Sequence, residues 1–412
     1  MSDEAKWTFM VYMAGDNNLS SAGEKDLAEM RQVGSTPKVN ILVQFDNAGD
    51  YGTQRYRVLS GGQNDQVMSL GETDSGDPEV INAFIAWAAQ HYPAERYALV
   101  LWSHGGAWEP AAVDKIARSV DASNYSPKEA ADRVASVLGK AIFRTSLERY
   151  FKLTLSERAI CVDDGSGHSL DTLELEKVLA KAKQVLGQEL DLLGMDACLM
   201  SNLEVAFQVR PYVKFLVASE ESEPNDGWPY ESILRRLVEV PDLSSQQVAE
   251  NIVQDYIRSY VDRGYQGDVT QTALDLNRVE ELTGPLDTLA DALTPELSGD
   301  NRLNVYFKIW QTAYRATRFW GDTLLDLAQF ARELETQSVN PQVSLACQPV
   351  YTALGSGQGR FITAVGNHGK KVARCGGLTI YLPFGKPMSR FYPELAYAAR
   401  HRWASLVEAY QI

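Results

Sequence analysis

Short, nearly continuous apolar segments constrain the fold of this chain more than any other feature of its sequence. Each segment is short enough for a strand and is followed by polar or glycine-containing residues. The segments are 7–14 (WTFMVYMA), 39–45 (VNILVQF), 97–102 (YALVLW), 159–163 (AICVD), 190–195 (LDLLGM) and 213–219 (VKFLVAS). Strands that are apolar on both faces are typical of parallel sheets covered by helices. Helical patterns at 79–90, behind Pro78, and from Thr172 onward alternate with them. We therefore predict an α/β fold with a mostly parallel sheet flanked by helices.

The pattern of predicted secondary structure changes near residue 241. Longer helical patterns follow, at 244–262, 279–293, 305–316, 323–335 and 393–410. Strand candidates lie between them at 271–276, 361–364 and 377–383. We predict a core at 1–240 and a smaller C-terminal α+β region at 241–412.

A long polar segment, about 111–158, interrupts the alternation of strands and helices within the predicted core. Its last part is rich in basic residues: Lys140, Arg144, Arg149, Lys152 and Arg158. Long insertions inside compact domains are usually functional or disordered. A solvated surface helix is the alternative interpretation of this basic segment.

Charge excludes some classes of partner. The chain has 412 residues and a formal net charge of −15, which argues against nucleic acid or an anionic membrane. A cationic substrate is compatible with this charge.

The N-terminus has no secretory signal pattern and no window reaches 18 apolar residues, so we expect a cytoplasmic chain without a membrane span. Four cysteines without a C-x-x-C pair indicate neither a zinc site nor a dense disulfide framework.

One cysteine and one histidine both directly follow a predicted buried strand: Cys198 and His104. Neighbouring parallel strands lie about 4.8 Å apart, so residues at their carboxyl ends can come within hydrogen-bond reach. A cysteine with a histidine base is the arrangement that nucleophilic attack on a carbonyl needs. With a helix predicted from residue 200, the helix dipole would also favour the Cys198 thiolate. A buried, inert cysteine and a loop histidine are the structural alternatives.

Backbone N–H groups beside these residues could bind an oxyanion. The candidates are the N–H groups of Gly105 and Cys198, and Gly105-Gly106 would let the backbone approach a substrate closely. This pattern predicts acyl-transfer chemistry at the carboxyl edge of the sheet.

Several motifs together resemble one family. The segments YALVLWSHGGAW, AICVDDGSGHSLDTLEL, LLGMDACLMSNLEVA and VASEESEPNDGWPY are similar to the clostripain family of cysteine peptidases, which are related to caspases. The opening WTFMVYMAGDNNLS and the late QTALDL and GGLTIYLP are also similar, so the resemblance covers nearly the whole chain.

The resemblance implies a caspase-like fold and specific roles. Cys198 would be the nucleophile and His104 the base, and the substrate would be a peptide or protein with Arg or Lys at P1. Asp196 would lie in the S1 pocket, with Asp226 and Ser219 as further substrate-binding candidates. A carboxylate in a partly desolvated pocket favours a guanidinium, which it can bind bidentately. Asp196 as a helix N-cap is the alternative.

The acidic loop residues Glu220, Glu221 and Glu223 are expected to form a solvated rim. No cofactor is expected; calcium stays open, because no loop has the spacing of a calcium hand. By resemblance, the chain would be a zymogen cut at one of the five basic residues within 140–158, by itself or by an upstream activating peptidase.

Two other functions compete with this one. His-Gly-Gly-Ala-Trp resembles the oxyanion loop of serine esterases of the α/β-hydrolase type. Such enzymes need a G-x-S-x-G elbow, and no serine here has glycines two residues before and two residues after it. A catalytically inactive scaffold is the third candidate, and the presence of both Cys198 and His104 argues against it.

Overall fold

The computed structural model describes residues 4–16, 19–47, 52–62, 65–103, 172–319, 323–383, 385, 387–389 and 391–411. Several predictions therefore lie outside the described residues: the strand 159–163, the insertion 111–158 with its five basic residues, and both His104 and Gly105.

The described strands form one large sheet and one small sheet. Their bounds are β1 (Ala5–Gly15), β2 (Val39–Asn47), β3 (Thr53–Arg57), β4 (Gln66–Gly71), β5 (Ala94–Trp102), β6 (Leu190–Asp196), β7 (Val213–Ala218), β8 (Val269–Asp275), β9 (Arg318–Phe319), β10 (Leu324–Asp326), β11 (Ile362–His368) and β12 (Thr379–Tyr381). The large sheet has nine strands in the order β11-β8-β7-β6-β5-β1-β2-β3-β4. Its five central strands, β7 to β2 in this order, are mutually parallel, and antiparallel strands close both edges.

The apolar segments form the parallel centre of the large sheet, as predicted. Every residue of β6 is buried, and β5 is buried over its last six residues. Continuous apolar character is needed here because helices cover both faces of these strands. The mostly parallel α/β fold is confirmed.

Helices pack on both faces of the large sheet. Their bounds are α1 (Ser20–Val33), α2 (Pro78–His91), α3 (Thr172–Leu186), α4 (Leu203–Val209), α5 (Tyr230–Glu239), α6 (Ser245–Asp262), α7 (Glu280–Leu293), α8 (Arg302–Arg315), α9 (Leu327–Thr336), α10 (Pro341–Ala353), α11 (Ala396–Arg400) and α12 (Trp403–Ala409). One core lies beneath α1, α5 and α6, and a larger core contains buried residues of α2, α3, α4 and the later helices.

Local signals set several helix starts. The Asp77 side chain accepts a hydrogen bond from the Glu79 N–H, with Pro78 in the first turn of α2. Ser244 and Gln247 form a reciprocal capping box at the start of α6. Both starts agree with the predicted helices at 79–90 and 244–262.

Two helix predictions need correction, and two helices were not predicted. The helix predicted at 323–335 begins only at Leu327, because the residues before it form β10 and Asp326 caps α9 through the Gln329 N–H. The helix predicted at 393–410 breaks at His401, which is extended and hydrogen-bonded to Asp287. The prediction missed α5 and α10, and α10 contains an internal Pro349.

The large sheet continues across residue 241. β8 pairs with β7, and β11 pairs with β8, so two strands of the C-terminal region extend the sheet of the core. β9, β10 and β12 form a separate three-stranded sheet. The division into 1–240 and 241–412 therefore passes through one continuous sheet. Among the helices that the structure describes, none combines the length and apolar character needed to span a bilayer.

Candidate active site

Cys198 lies in a turn directly after the central strand β6. The residue is partly exposed and carries a thiol rather than a disulfide. Leu199, which follows it, has a φ of 66°, a backbone conformation that is rare for a residue other than glycine. The Leu199 N–H donates to the Glu221 carbonyl, which holds this turn. The cysteine is thus presented at the carboxyl edge of the sheet by a strained turn.

The helix after Cys198 starts later than predicted. α4 begins at Leu203, where the Asn202 side chain accepts from the Val205 N–H. Ser201 and Asn202 stay outside the helix because both contact the segment that carries β12. Ser201 Oγ donates to the Gly377 carbonyl over 2.6 Å, and Asn202 forms a β-bridge with Thr379. The prediction that a helix starts at residue 200 and acts on the Cys198 thiolate is therefore wrong. The same finding assigns the N-cap to Asn202, so Asp196 does not serve as a cap.

The loop after β7 contacts the sulfur of Cys198 directly. The Glu223 N–H donates to Cys198 Sγ over 3.2 Å, and the Glu223 carbonyl lies 3.8 Å from the same sulfur. The backbone of Glu223 therefore helps to fix the position of the candidate nucleophile.

The β5–β6 register brings the ends of both strands to one level. Trp102 lies opposite Asp196, and the Ser103 N–H donates to the Asp196 carbonyl over 3.3 Å. His104 is the next residue in the sequence and lies outside the described part of the chain, as does Gly105. The pairing of His104 with Cys198 and the oxyanion role of Gly105 stay predictions.

Asp196 is a buried carboxylate, 5% exposed, at the end of β6. Its Oδ2 accepts from the Tyr230 hydroxyl over 2.9 Å and from the Trp228 N–H over 3.3 Å. Burial raises the pKa of Asp196, although these donors and Glu223 oppose the shift. Asp196 thus lies two residues before Cys198, in a buried site where little water can solvate a negative charge.

Two further acids lie beside Asp196. The Asp26 carboxyl on α1 is buried and accepts from the Trp102 indole N–H over 2.8 Å. Burial, and then the charge of Asp196, raise the pKa of Asp26 to about 9. Burial and the Asp196 carboxylate also hold the pKa of Glu223 well above its usual range. Asp26 Oδ1 is buried without a hydrogen-bond partner, whereas the carboxyls of Glu223 and Asp196 are hydrogen-bonded to each other and share a proton.

The remaining substrate-binding candidates, Asp226 and Ser219, make contacts of their own. The Asp226 side chain is 51% exposed and binds Lys25 over 2.5 Å and Arg263 over 3.0 Å. Ser219 is fully buried, and its hydroxyl contacts the Thr270 hydroxyl and the Glu221 carbonyl. Asp226 thus pairs with two cations, and Ser219 is part of the hydrogen bonding of the buried loop; their substrate-binding roles stay predictions.

The solvated acidic rim expected at Glu220, Glu221 and Glu223 is not what the structure shows. Glu220 is fully buried, and the Glu223 carboxyl is buried although the residue is partly exposed. Sequence reasoning also missed Asp26, because the charged residues around it, Glu24, Lys25 and Glu29, are typical of a solvated helix face. The proximity of Asp26 to Asp196 arises only when α1 packs on the sheet.

Two groups of described side chains are close enough to hold a metal ion. One comprises Glu220, Asp326 and Cys375; the other comprises Asp16, Asp46 and Glu72. In the first, backbone N–H groups already donate to three of the four carboxylate oxygens. Burial, and then the Asp326 charge, raise the pKa of Glu220, so a shared proton accounts for this pair. Neither group is evidence that the protein binds calcium.

A central parallel sheet with a cysteine in a turn at its carboxyl edge, beside buried acids, is the arrangement expected of a caspase-like cysteine peptidase fold. The sequence profile of the clostripain family matches residues 11–129 and 148–408. The chain belongs to the clostripain family of cysteine peptidases. This assignment also sets aside the serine esterase alternative.

Individual relatives agree with the assignment. Clostripain from Hathewaya histolytica is 25% identical over 263 residues, which are 56% of this chain and 42% of that protein. The match thus spans less than half the length of this relative. An inactive zymogen of a C11 protease from Parabacteroides distasonis has a TM-score of 0.66 at 17% identity, covering 96% of this chain and 98% of that one. A secreted C11 cysteine protease from Bacteroides thetaiotaomicron, in complex with an irreversible peptide inhibitor, has a TM-score of 0.61 at 20% identity, covering 98% and 99%. These two likenesses show the fold.

Proposed function

We propose that this chain is a cysteine endopeptidase that cleaves peptide bonds after Arg or Lys. The observation that carries this proposal is the acidic cluster of Asp26, Asp196 and Glu223 beside Cys198. Buried carboxylates without a cation or sufficient donors are costly, and a basic P1 side chain would supply both charge and donors.

The chemistry assigned to the chain follows from the position of Cys198. His104 removes the thiol proton, and Cys198 Sγ attacks the scissile carbonyl carbon. The N–H groups of Gly105 and Cys198 bind the resulting oxyanion. Collapse breaks the C–N bond, with the proton passing from His104 to the leaving amine. Water then attacks the thioester with His104 as base, which releases the acid product and the thiol. No step requires a cofactor.

Asp196 is the principal carboxylate of the proposed P1 pocket. It lies on the same strand end as Cys198, so a substrate whose carbonyl reaches the sulfur can place its P1 side chain towards it. Asp226 precedes Gly227, and a Cβ added to Gly227 would lie 3.2 Å from Asp196 Oδ2. Because Asp226 is next to this position and its side chain is half exposed, it is the candidate for a second carboxylate at the outer end of the pocket. Ser219 helps to hold the loop after β7 in place, because its hydroxyl is hydrogen-bonded to the Thr270 hydroxyl.

Activation by cleavage is the second part of the proposal. The Parabacteroides distasonis relative is described as an inactive zymogen. By analogy, the intact chain is latent and becomes active after cleavage at Lys140, Arg144, Arg149, Lys152 or Arg158, carried out by itself or by an upstream peptidase. These residues lie between His104 and Cys198 in sequence.

A set of fluorogenic peptides that vary only at P1, assayed with and without calcium, tests the function. We expect turnover with Arg and Lys at P1 and none with Asp or Leu. Turnover of neutral P1 peptides at equal rates would refute the basic preference. Failure to cleave any peptide, with Cys198 unreactive to iodoacetamide, would favour the inactive scaffold.

A further inference from the structure

One buried hydroxyl on β8 binds three successive residues of the loop after β7. Thr270 is fully buried. Its Oγ1 accepts from the Glu220 N–H over 2.9 Å and from the Glu221 N–H over 3.1 Å, and it lies 2.9 Å from Ser219 Oγ. The position in which the loop leaves β7 therefore depends on a side chain of a different strand.

The direction of these hydrogen bonds follows from the capacity of a hydroxyl, which has one donor and two acceptor sites. Two backbone N–H groups donate to Thr270 Oγ1, so its own hydroxyl donates to Ser219 Oγ. The Ser219 hydroxyl in turn donates to the Glu221 carbonyl over 2.9 Å. All three hydrogen-bonding sites of Thr270 are thus used by residues 219–221.

The same loop residues hold the turn that carries Cys198. The Glu221 carbonyl accepts from the Leu199 N–H over 3.2 Å, and the Ser219 carbonyl accepts from the Ser201 N–H over 2.8 Å. Leu199 has a φ of 66°, which is unfavourable for a residue with a side chain, so these bonds help to keep the turn in its strained form. A change at residues 219–221 would therefore be transmitted to the turn and to the cysteine at its start.

We propose that Thr270 is a positioning residue for the nucleophile, which holds the turn after β6 and the Cys198 sulfur in the geometry for attack on a carbonyl. The inference rests on the function proposed above. Thr270 acts through the loop, because its hydrogen bonds go to residues 219–221, while Glu223 of the same loop contacts Cys198 Sγ through its backbone. The rate of attack is sensitive to such positioning, since a displacement of about 1 Å can cost roughly a hundredfold.

The variant Thr270→Val tests the proposal, because it replaces the hydroxyl by a methyl group of similar size. We expect kcat for a P1 Arg peptide to fall at least about tenfold. KM should stay within about twofold, because the proposed P1 carboxylate of Asp196 is bound by Trp228 and Tyr230, further along the chain. Alkylation of Cys198 by iodoacetamide at pH 7, followed by mass spectrometry, should slow as well.

Two further variants separate positioning from a merely structural role. Thr270→Ser keeps the hydroxyl but loses a buried methyl group, so we expect lower stability in urea and a kcat close to that of the wild type. A kcat as low as that of Thr270→Val would overturn the proposal.

Thr272→Val is the matched control. Thr272 is fully buried two residues further along β8, and its hydroxyl has no hydrogen-bond partner among the residues that the structure describes. The same change should therefore keep kcat, KM and the alkylation rate. An equal loss of kcat in both Val variants would show that the hydrogen bonds of Thr270 are not the cause.

The outcomes separate this inference from the function beneath it. If the wild type cleaves no peptide, the proposed function fails, and the alkylation rates of Cys198 in the wild type and in Thr270→Val still test the positioning. If the wild type is active and a folded Thr270→Val enzyme keeps both kcat and the alkylation rate, only the role of Thr270 is refuted. If Thr270→Val does not fold, Ser219→Ala decides, because it removes the hydroxyl between Thr270 and the Glu221 carbonyl. We expect a lower kcat with an unchanged KM, and an unchanged kcat would overturn the proposal.

Discussion

The Glu223 N–H donates a hydrogen bond to Cys198 Sγ over 3.2 Å, and the carboxyl of the same residue lies beside Asp196. One residue of the loop after β7 thus contacts both the candidate nucleophile and the candidate P1 carboxylate. The thiol and the buried carboxyl are therefore connected through one residue of the loop.

Loss of the nucleophile should abolish turnover without loss of the fold. Cys198→Ala removes one sulfur from a turn, and His104→Ala removes its proposed base; each should reduce kcat at least about a thousandfold, because the pair acts as a unit. Turnover of a P1 Arg peptide and circular dichroism are the measurements. Cys161→Ala is the control; an inactive Cys161 variant beside an active Cys198 variant would contradict the assignment.

Asp196→Asn should reduce cleavage after Arg and Lys far more than it reduces alkylation of Cys198 by iodoacetamide. The carboxylate is proposed to bind the P1 cation rather than to activate the thiol. Asp226→Asn is the matched change, and we expect a smaller effect because Asp226 already binds Lys25 and Arg263. Equal losses in cleavage and alkylation for Asp196→Asn would mean that this residue only supports the turn.

Gly194→Ala should destabilise the fold near the pocket. The new Cβ would lie 2.7 Å from Trp228 Cη2 and 3.0 Å from Val100 Cγ2, both in the core. Overpacking of this kind costs about 1–3 kcal/mol in the free energy of unfolding, which urea denaturation measures. Gly299→Ala is the control, since its Cβ would have no neighbour nearer than 4.0 Å, and should change stability by less than about 0.5 kcal/mol. Equal stability of both variants would contradict the close packing of Trp228.

Glu204 makes stability depend on pH. Burial raises its pKa from 4.5 to about 7, although Tyr381 and Tyr392 donate to it. Between these pH values the native state holds a proton that the unfolded state has lost, so this residue's contribution to the free energy of unfolding falls as pH rises. By pH 8 the loss should be on the order of 3 kcal/mol.

Glu204→Gln should remove this part of the pH dependence. Urea midpoints at pH 5 and pH 8 compare the variant with the wild type, and the variant should show the smaller fall between them. The wild-type slope contains other groups, so only the difference between the two proteins reports on Glu204. Identical slopes would mean that Glu204 ionises normally in the folded chain.

Replacement of all five basic residues within 140–158 by Ala should keep the chain in one piece and latent. The reason is that a P1 pocket with acidic side chains suits cleavage after basic residues. Gels and N-terminal sequencing of active wild-type preparations should show two associated fragments. Full activity of the uncut variant would refute activation by cleavage and favour a solvated surface helix.

Much of the fold follows from the order of residues alone. Continuous apolar segments predict β1, β2, β5, β6 and β7, because a strand covered on both faces needs apolar side chains in both directions. Pro78 and the Ser244 capping box mark helix starts through contacts within one turn. The position of Cys198 directly after the buried strand β6 follows from the same local reasoning.

Tertiary structure decided what depends on contacts between distant segments. Nothing local shows that α4 begins at Leu203, since Asn202 is extended and bridges to Thr379 of β12, and Ser201 is hydrogen-bonded to Gly377 just before that strand. The burial of the Glu223 carboxyl and the approach of Asp26 to Asp196 arise only when α1 and the loop after β7 pack at one edge of the sheet. Sequence patterns show which side chains leave water. Which charges then face one another depends on packing, because their interaction acts through space and not along the chain.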